Sequence, residues 1–258
     1  MSACTTTTAG LLLAATLLVP GAARADEWDS AAAGDVGFST RNTLAHGAEQ
    51  VHDLATLGAT PDEDWYKLTV RPMSSYQMVI DGQTGDVGLQ SADFQRIAQT
   101  GAVLQSAEET DVGGVLRLGW RQGQFADTQL VRVRGAACNV TTCVSTDRYR
   151  IRFYETTYTI PRFNNTATQT TVLLVRNDTD RECEVFYYLV TSTGVVEIGG
   201  DQFPYGMHVI NTAQFAPNQS GSVRIAHDCG YGAFTGKAVS VEPAAGLAFD
   251  TAMRHRAN

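Results

Sequence analysis

The stretch Asp64-Trp65-Tyr66-Lys67-Leu68-Thr69-Val70 decides the fold class. Tyr66, Leu68 and Val70 share one face of an extended chain, and Trp65, Lys67 and Thr69 share the other. Period two with aromatic and β-branched side chains marks a strand with one buried face. Pro72 and Ser74-Ser75 interrupt the pattern, and Tyr76, Met78 and Ile80 resume it until Asp81-Gly82 turns the chain. Leu116, Leu118 and Trp120 alternate next, then Val131 and Val133, then Tyr149, Ile151 and Phe153. Short strands with turn residues spaced this evenly predict an antiparallel sandwich or barrel.

A second series follows Tyr158-Thr159-Ile160-Pro161. It predicts strands over Thr171–Val175, Cys183–Val190, Met207–Ile210, Ser222–Ala226 and Lys237–Val241. Asn177-Asp178, Ser192-Thr193-Gly194, Gly199-Gly200-Asp201 and Asn218-Gln219-Ser220-Gly221 punctuate them. The chain has 258 residues, 43% of them hydrophobic, more than one typical domain of about 100–150 residues needs. The prediction is therefore all-β: two consecutive antiparallel β-sandwich domains after a cleaved signal peptide, over residues 36–157 and 158–252. They meet near Glu155–Ile160, where the long strand through Phe153 ends. One stretch reads otherwise. Leu44, Ala48, Val51, Leu54 and Ala55 fall near helical spacing between Thr43 and Leu57, and propensity predicts a helix there. Arg254-His255-Arg256-Ala257-Asn258 reads as a loose polar tail.

Residues 1–25 read as the signal peptide. An apolar run from Leu11 to Val19 ends at Pro20-Gly21, and Ala23-Arg24-Ala25 supplies the small-x-small pattern that precedes cleavage, here before Asp26. The run is shorter than the roughly 20 apolar residues of a spanning helix. Met1 to Gly10 carries no Lys or Arg, a departure from the usual basic start. Nothing later in the chain is long and apolar enough to span a membrane. Cleavage removes one of the 19 basic residues and none of the 27 acidic ones. The acidic balance that remains argues against nucleic acid or an anionic membrane as partner. The expected location is secreted or extracytoplasmic, at the cell surface or in the periplasm.

Cys4 precedes the apolar run, so it is not a lipid-anchored cysteine. The four that remain, Cys138, Cys143, Cys183 and Cys229, read as disulfides in an exported chain. Three pairings are possible. The Cys-x4-Cys spacing favours Cys138–Cys143 as a local staple, which leaves Cys183–Cys229. No second Cys or His pair sits at metal-ligand spacing. In Cys183, Val185, Tyr187 and Leu189 the alternation puts Cys183 on the apolar face, so its bridge belongs inside the second core.

The first half carries Asn42-x-Leu44, Gly47, Gln50-x-His52-Asp53-Leu54, Asp62-Glu63-Asp64-Trp65-Tyr66, Tyr76-x-x-Val79-x-Asp81 and Gly85-Asp86. Over residues 36–157 this resembles the bacterial pre-peptidase C-terminal domain, with the acidic-Trp-Tyr strand as its most specific element. The resemblance implies a small non-catalytic β-sandwich of the kind appended to secreted proteases, some of which bind matrix or polysaccharide. It also implies that Leu44–Leu54 is an edge strand rather than a helix. A protease domain ahead of the module, as in many relatives of that family, is not expected here. The second half is similar to Ig-like sandwiches in strand count only, which transfers no function.

Catalytic motifs are missing: no Gly-x-Ser-x-Gly elbow, no His-Glu-x-x-His and no phosphate-cradling Gly loop. Ser220 or Ser222 with His227 and Asp228 has the residue types of a triad, but adjacent residues on a strand point to opposite faces. His46, His52, His208 and His255 are scattered and read as ordinary surface or half-buried histidines. Asp62, Asp64, Asp81 and Asp86 crowd the turns of the first half. Such carboxylates suit Ca²⁺, yet no spacing matches an EF-hand loop, and acidic turns also serve solubility, so no cofactor is expected. Trp65, Trp120 and the run Phe186-Tyr187-Tyr188 read as core aromatics first and as sugar-stacking platforms second.

Arginine gives the sharpest binding hypothesis. If Val131 and Val133 face the core with Tyr149, Ile151 and Phe153, then Arg132, Arg134, Arg148, Arg150 and Arg152 all face outward. A hairpin stapled by Cys138 and Cys143 would set the five side by side, after a one-residue offset or bulge to match the faces. Like charges across a sheet repel, so the row needs carboxylates from its own fold or an anionic ligand such as an acidic polysaccharide. The expected function is a secreted, non-catalytic binding or surface-accessory protein whose extracellular ligand the sequence does not name, with an acidic polysaccharide or a matrix protein as the candidates. Two rivals stand beside it: an exported hydrolase with an unfamiliar site, and a structural envelope protein that self-associates through strand edges.

Overall fold

The computed structural model describes Asp26, Trp28, residues 37–55 and 62–134, Cys138 and residues 142–256. The predicted signal peptide lies outside the described residues. In the first half the strands are β1 (Glu49–Asp53), β2 (Glu63–Val70), β3 (Ser74–Asp81), β4 (Phe94–Ile97), β5 (Val103–Ser106), β6 (Glu108–Glu109), β7 (Leu116–Gln122), β8 (Asp127–Arg134) and β9 (Arg148–Glu155). They form a five-stranded sheet in the order β1-β9-β3-β7-β6 and a four-stranded sheet in the order β2-β8-β4-β5. Tyr66, Leu68, Phe94, Val131 and Val133 of the smaller sheet meet Met78, Ile80, Leu118, Trp120, Tyr149 and Ile151 of the larger in one core. Fully burying each such side chain stabilises the fold by roughly 1.5–3 kcal/mol.

The second half holds β10 (Tyr158–Asn164), β11 (Thr170–Asn177), β12 (Cys183–Thr191), β13 (Gly194–Gln202), β14 (Met207–Asn211), β15 (Ser220–His227), β16 (Phe234–Glu242), β17 (Leu247–Ala252) and β18 (Arg254–His255). Its sheets run β13-β12-β15-β10-β18 and β14-β11-β16-β17. Both sheets are antiparallel, and a second core gathers Tyr158, Phe163, Leu173, Val175, Val185, Tyr187, Ile225 and Phe234 between them. The disulfides Cys138–Cys143 and Cys183–Cys229 are both formed, with Cα separations of 5.5 and 5.6 Å. The second of them lies in the second core. Among the described residues no helix is long and apolar enough to cross a membrane.

Four expectations are corrected. The helical spacing over 43–57 does not produce a helix in the described part of that stretch: Glu49–Asp53 is a strand, β1, at the edge of the larger sheet. Glu49 and Val51 are exposed while Gln50 and His52 turn inward, which is the alternation of a strand. Gly199-Gly200 is not a turn but the middle of β13. Gly199 lies beneath the Phe186 ring, and a Cβ there would come within 2.5 Å of it, a close approach that only glycine permits. Arg254 and His255 are not a loose tail; they pair with Thr159 and Tyr158 of β10, and Arg256 N–H donates to the Thr157 carbonyl at 2.9 Å. The hairpin expected between β8 and β9 does not exist, because the two strands belong to different sheets.

The halves dock face to loop. The turn between β15 and β16 lies on the outer face of β3 and β7. Arg117 donates to the Asp228 carbonyl at 3.2 Å, and the Gln77 side-chain oxygen accepts from Tyr231 N–H at 2.8 Å. Beside them the Arg121 guanidinium lies 3.4 Å from the centre of the Phe186 ring and donates to Glu184 at 3.2 Å.

Candidate functional site

The five arginines do not form one row. Arg132 and Arg134 stand on the four-stranded sheet, and Arg148, Arg150 and Arg152 on the five-stranded one. Arg132 lies over Trp65, with its guanidinium carbon 5.4 Å from the ring centre, and donates to Gln95 at 2.8 Å. Arg134 pairs in register with Glu63. Arg150 donates to Asp81 at 2.5 Å and Arg152 to Glu49 at 2.8 Å, with cross-contacts of 3.8 Å from Arg150 to Glu49 and 3.3 Å from Arg152 to Asp81. Two arginines and two carboxylates thus alternate on one sheet face. Arg148 is exposed and donates to the Ser145 carbonyl at 2.8 Å.

The four acidic residues considered for calcium are also separated. Asp81 is taken up by Arg150 and Arg152, the Asp86 N–H bonds to the Asp147 carboxylate, and Asp64 points into the core. Trp65 and Trp120 are buried, as are Tyr187 and Tyr188. His227 and Asp228 diverge. His227 Nε2–H donates to the Thr156 carbonyl at 3.0 Å, whereas Asp228 accepts from Glu184 N–H at 2.9 Å. Burial among Tyr158 and Phe234 pushes the His227 pKa down to about 3.

A polar cluster that sequence reading missed crosses the interior of the first half. His52 on β1 and Tyr149 on β9 are register partners in one sheet, and Asp64 and Tyr66 reach them from β2 of the other. All four are buried. His52 Nε2–H donates to the Gln50 side-chain oxygen at 3.0 Å. Its Nδ1 lies 3.3 Å from Asp64 Oδ1 and 3.3 Å from Asp26 Oδ2. Tyr149 OH donates to Asp64 Oδ2 at 2.5 Å, and the Tyr66 and Tyr149 hydroxyls are 2.7 Å apart. Trp28 and Tyr149 both stack on the imidazole, each with its ring centre 5.6 Å away. Burial alone would lower the His52 pKa, but Asp26 and Asp64 outweigh it and raise the value to about 10. Burial raises the Tyr149 pKa and the Asp64 charge adds to the shift, which keeps the phenol a donor. The available signal was the parity of Asp64 with Tyr66, Leu68 and Val70, which puts a carboxylate on the core face.

A second feature lies at the open side of the second half. β13 and β14 are each the terminal strand of their sheet, and a groove of about 290 Å³ runs between them. Its lining includes Ile198, Gly199, Gly200, Met207 and Val209. Met207 and Val209 are 57% and 65% exposed, and Phe203 and Tyr205 also stand exposed in the preceding turn. At its floor Tyr187 OH donates to His208 Nδ1 at 3.0 Å while His208 Nε2–H donates to the Asp201 carbonyl at 3.2 Å.

No family model matches the chain, and no curated protein matches it. Among solved structures it is similar to Bacteroides uniformis beta-glucuronidase 2 covalently bound to cyclophellitol-6-carboxylate aziridine, at 9% identity and a TM-score of 0.21. That alignment covers 73% of this chain and 26% of the other, so the chain spans a small part of that protein's length. A likeness this faint carries no argument about activity.

Proposed function

We propose that the chain is an exported binding module that takes an extended polypeptide segment of an extracellular matrix protein along the groove between β13 and β14. The observation that carries this reading is the coincidence of open strand edges with an apolar wall: exposed Met207 and Val209 stand on a strand hydrogen-bonded on one side only. An unpaired edge offers N–H and C=O groups to an added strand, and alternate side-chain positions supply selectivity. Gly200, where a Cβ would meet open space, leaves the facing edge bare beside the Phe186-covered Gly199, so a backbone can approach it there. The lining sets Ile198, Met207, Val209 and Ile210 beside Tyr187, His208 and glycine backbone, so both the side chains and the main chain of a polypeptide find partners.

Two disulfides fit an oxidising compartment outside the cytoplasm. The resemblance of the first half to pre-peptidase C-terminal domains points to an accessory role. The buried positions of His52 and His227 support a non-catalytic reading. The test is retention of the protein on immobilised denatured collagen and on a sulfated glycan, for wild type and Val209→Lys. Retention on the protein surface, lost in the variant with its circular dichroism unchanged, is expected. Retention on the glycan alone, abolished by salt, would overturn the reading. So would concentration-dependent dimerisation that Val209→Lys removes, which would make the edge a self-assembly surface.

A further inference from the structure

Asp26 Oδ2, His52 Nδ1 and Asp64 Oδ1 converge to within 4.8 Å of one another, drawn from the chain's N-terminal segment and from both sheets of the first sandwich. We propose that these three atoms form a binding site for a single divalent transition-metal ion of the zinc class. The inference is independent of the groove reading, and either can fail without the other.

Distance is the first argument. Each carboxylate oxygen lies 3.3 Å from His52 Nδ1. A charge-assisted N–H···O bond would bring them to about 2.7–2.9 Å. Zinc holds nitrogen and oxygen ligands at about 2.0–2.1 Å, so neighbouring ligands of a tetrahedron stand about 3.3–3.4 Å apart. The two 3.3 Å spacings at His52 Nδ1 match edges of such a tetrahedron, and the two carboxylate oxygens lie within 4.8 Å of each other.

Charge is the second. Two carboxylates converge on one imidazole, and Asp64 is fully buried. A proton on His52 leaves one negative charge uncompensated, whereas a divalent ion on neutral His52 leaves none. Buried charges are paired or coordinate metals because isolation from water is costly.

Outer contacts are the third. Nε2–H of His52 is engaged by Gln50, which turns the Nδ1 lone pair toward the carboxylates, and Tyr149 fixes Asp64 through its second oxygen. Metal-ligating histidines and carboxylates are held in this way by outer partners. One nitrogen with two oxygens suits zinc-class ions rather than Ca²⁺, which takes six to eight oxygens. Asp26 keeps a partly exposed edge, so the ion has an entrance, and three protein ligands leave a fourth position open.

The protein is stripped with a chelator, dialysed, and titrated with Zn²⁺ and with Co²⁺. One ion per chain is expected, with the visible absorption of tetrahedral cobalt, quenching of Trp28 emission by cobalt because that ring stacks on His52, and a rise in Tm of several degrees with zinc. Asp26→Asn, at the rim, should fold normally and lose affinity at least 10-fold. His52→Gln should lose it altogether. Tyr149→Phe should weaken binding about 10–100-fold without changing the stoichiometry. Folded wild type that retains no zinc or cobalt would overturn the proposal. Binding that persists unchanged in Asp26→Asn, or that leaves Trp28 emission unaffected, would equally overturn it by placing the ion elsewhere.

Discussion

Gly119 on β7 faces the backbone carbonyl of Asp228 so closely that a Cβ at position 119 would lie 2.5 Å from that oxygen. The contact joins the outer face of the first sandwich to the β15–β16 turn of the second, beside the bond from Arg117 to the same carbonyl. The neighbour is backbone and cannot swing away. Gly119→Ala should therefore push the halves apart and cost about 1–3 kcal/mol, the usual range for overpacking. Gly123→Ala, where a Cβ meets open space, is the control. Thermal unfolding and small-angle scattering check it: the first variant should lose stability and gain radius, and the second should do neither.

The disulfides give a ranked expectation. Cys183–Cys229 closes 46 residues and Cys138–Cys143 closes 5. In the loop-entropy account these bridges restrict the unfolded chain by roughly 4 and 2 kcal/mol. The longer one also fills space in the second core. The double variant Cys183→Ala, Cys229→Ala should lower the urea midpoint more than Cys138→Ala, Cys143→Ala. An equal or reversed order would show that the loop argument does not govern this chain.

How far the sequence could be read follows from which forces are local. Alternation in Tyr66-Leu68-Val70 or Tyr149-Ile151-Phe153 is local, so strands and buried faces were legible. The Cys-x4-Cys spacing is local too, and the second bridge followed from it. Which sheet receives a strand is not local. Arg132 and Arg150 carry the same alternation signal, yet β8 and β9 lie in opposite sheets, and the expected arginine row falls apart for that reason alone. Gly199 looked like a turn residue because the ring of Phe186 above it is a cross-strand fact. His52 looked ordinary because its partners, Asp26 and Asp64, lie 26 and 12 positions away. The one legible hint was an acidic residue on the core side of β2.

The arginines now carry a stability prediction in place of a ligand. Arg150 and Arg152 alternate with Glu49 and Asp81 on a partly exposed face. Exposed ion pairs each contribute about 0.2–1 kcal/mol, and removing both cations leaves two carboxylates facing each other. Arg150→Gln with Arg152→Gln should therefore cost on the order of 1 kcal/mol in low salt. The deficit should shrink in 1 M salt, where the screening length falls to about 3 Å. Urea denaturation at the two salt concentrations reads this directly. No difference from wild type in low salt would mean that solvent already satisfies these charges.

Acid should loosen the second half through His227. This imidazole is buried against Tyr158 and Phe234, and burial, followed by the nearby His255 and Arg117, pushes its pKa down to about 3. In the unfolded chain the ordinary value is about 6.5. Between those values the unfolded chain binds a proton that the folded chain does not, so stability rises with pH across the window. The contribution is complete above about pH 6.5 and is lost as pH falls toward 3. At pH 5 the loss should be about 2 kcal/mol, from 1.36 kcal/mol per pH unit. Carboxylates and the partly buried His255 add their own acid dependence, so wild type is compared with His227→Gln, which can keep a donor for the Thr156 carbonyl and does not titrate. The stability difference between the two, followed by denaturant midpoint from pH 7.5 to 5, should shift in favour of the variant as pH drops. Parallel curves would show that His227 already carries its proton in the folded chain, held there by the Thr156 and Cys229 backbone against the effect of burial.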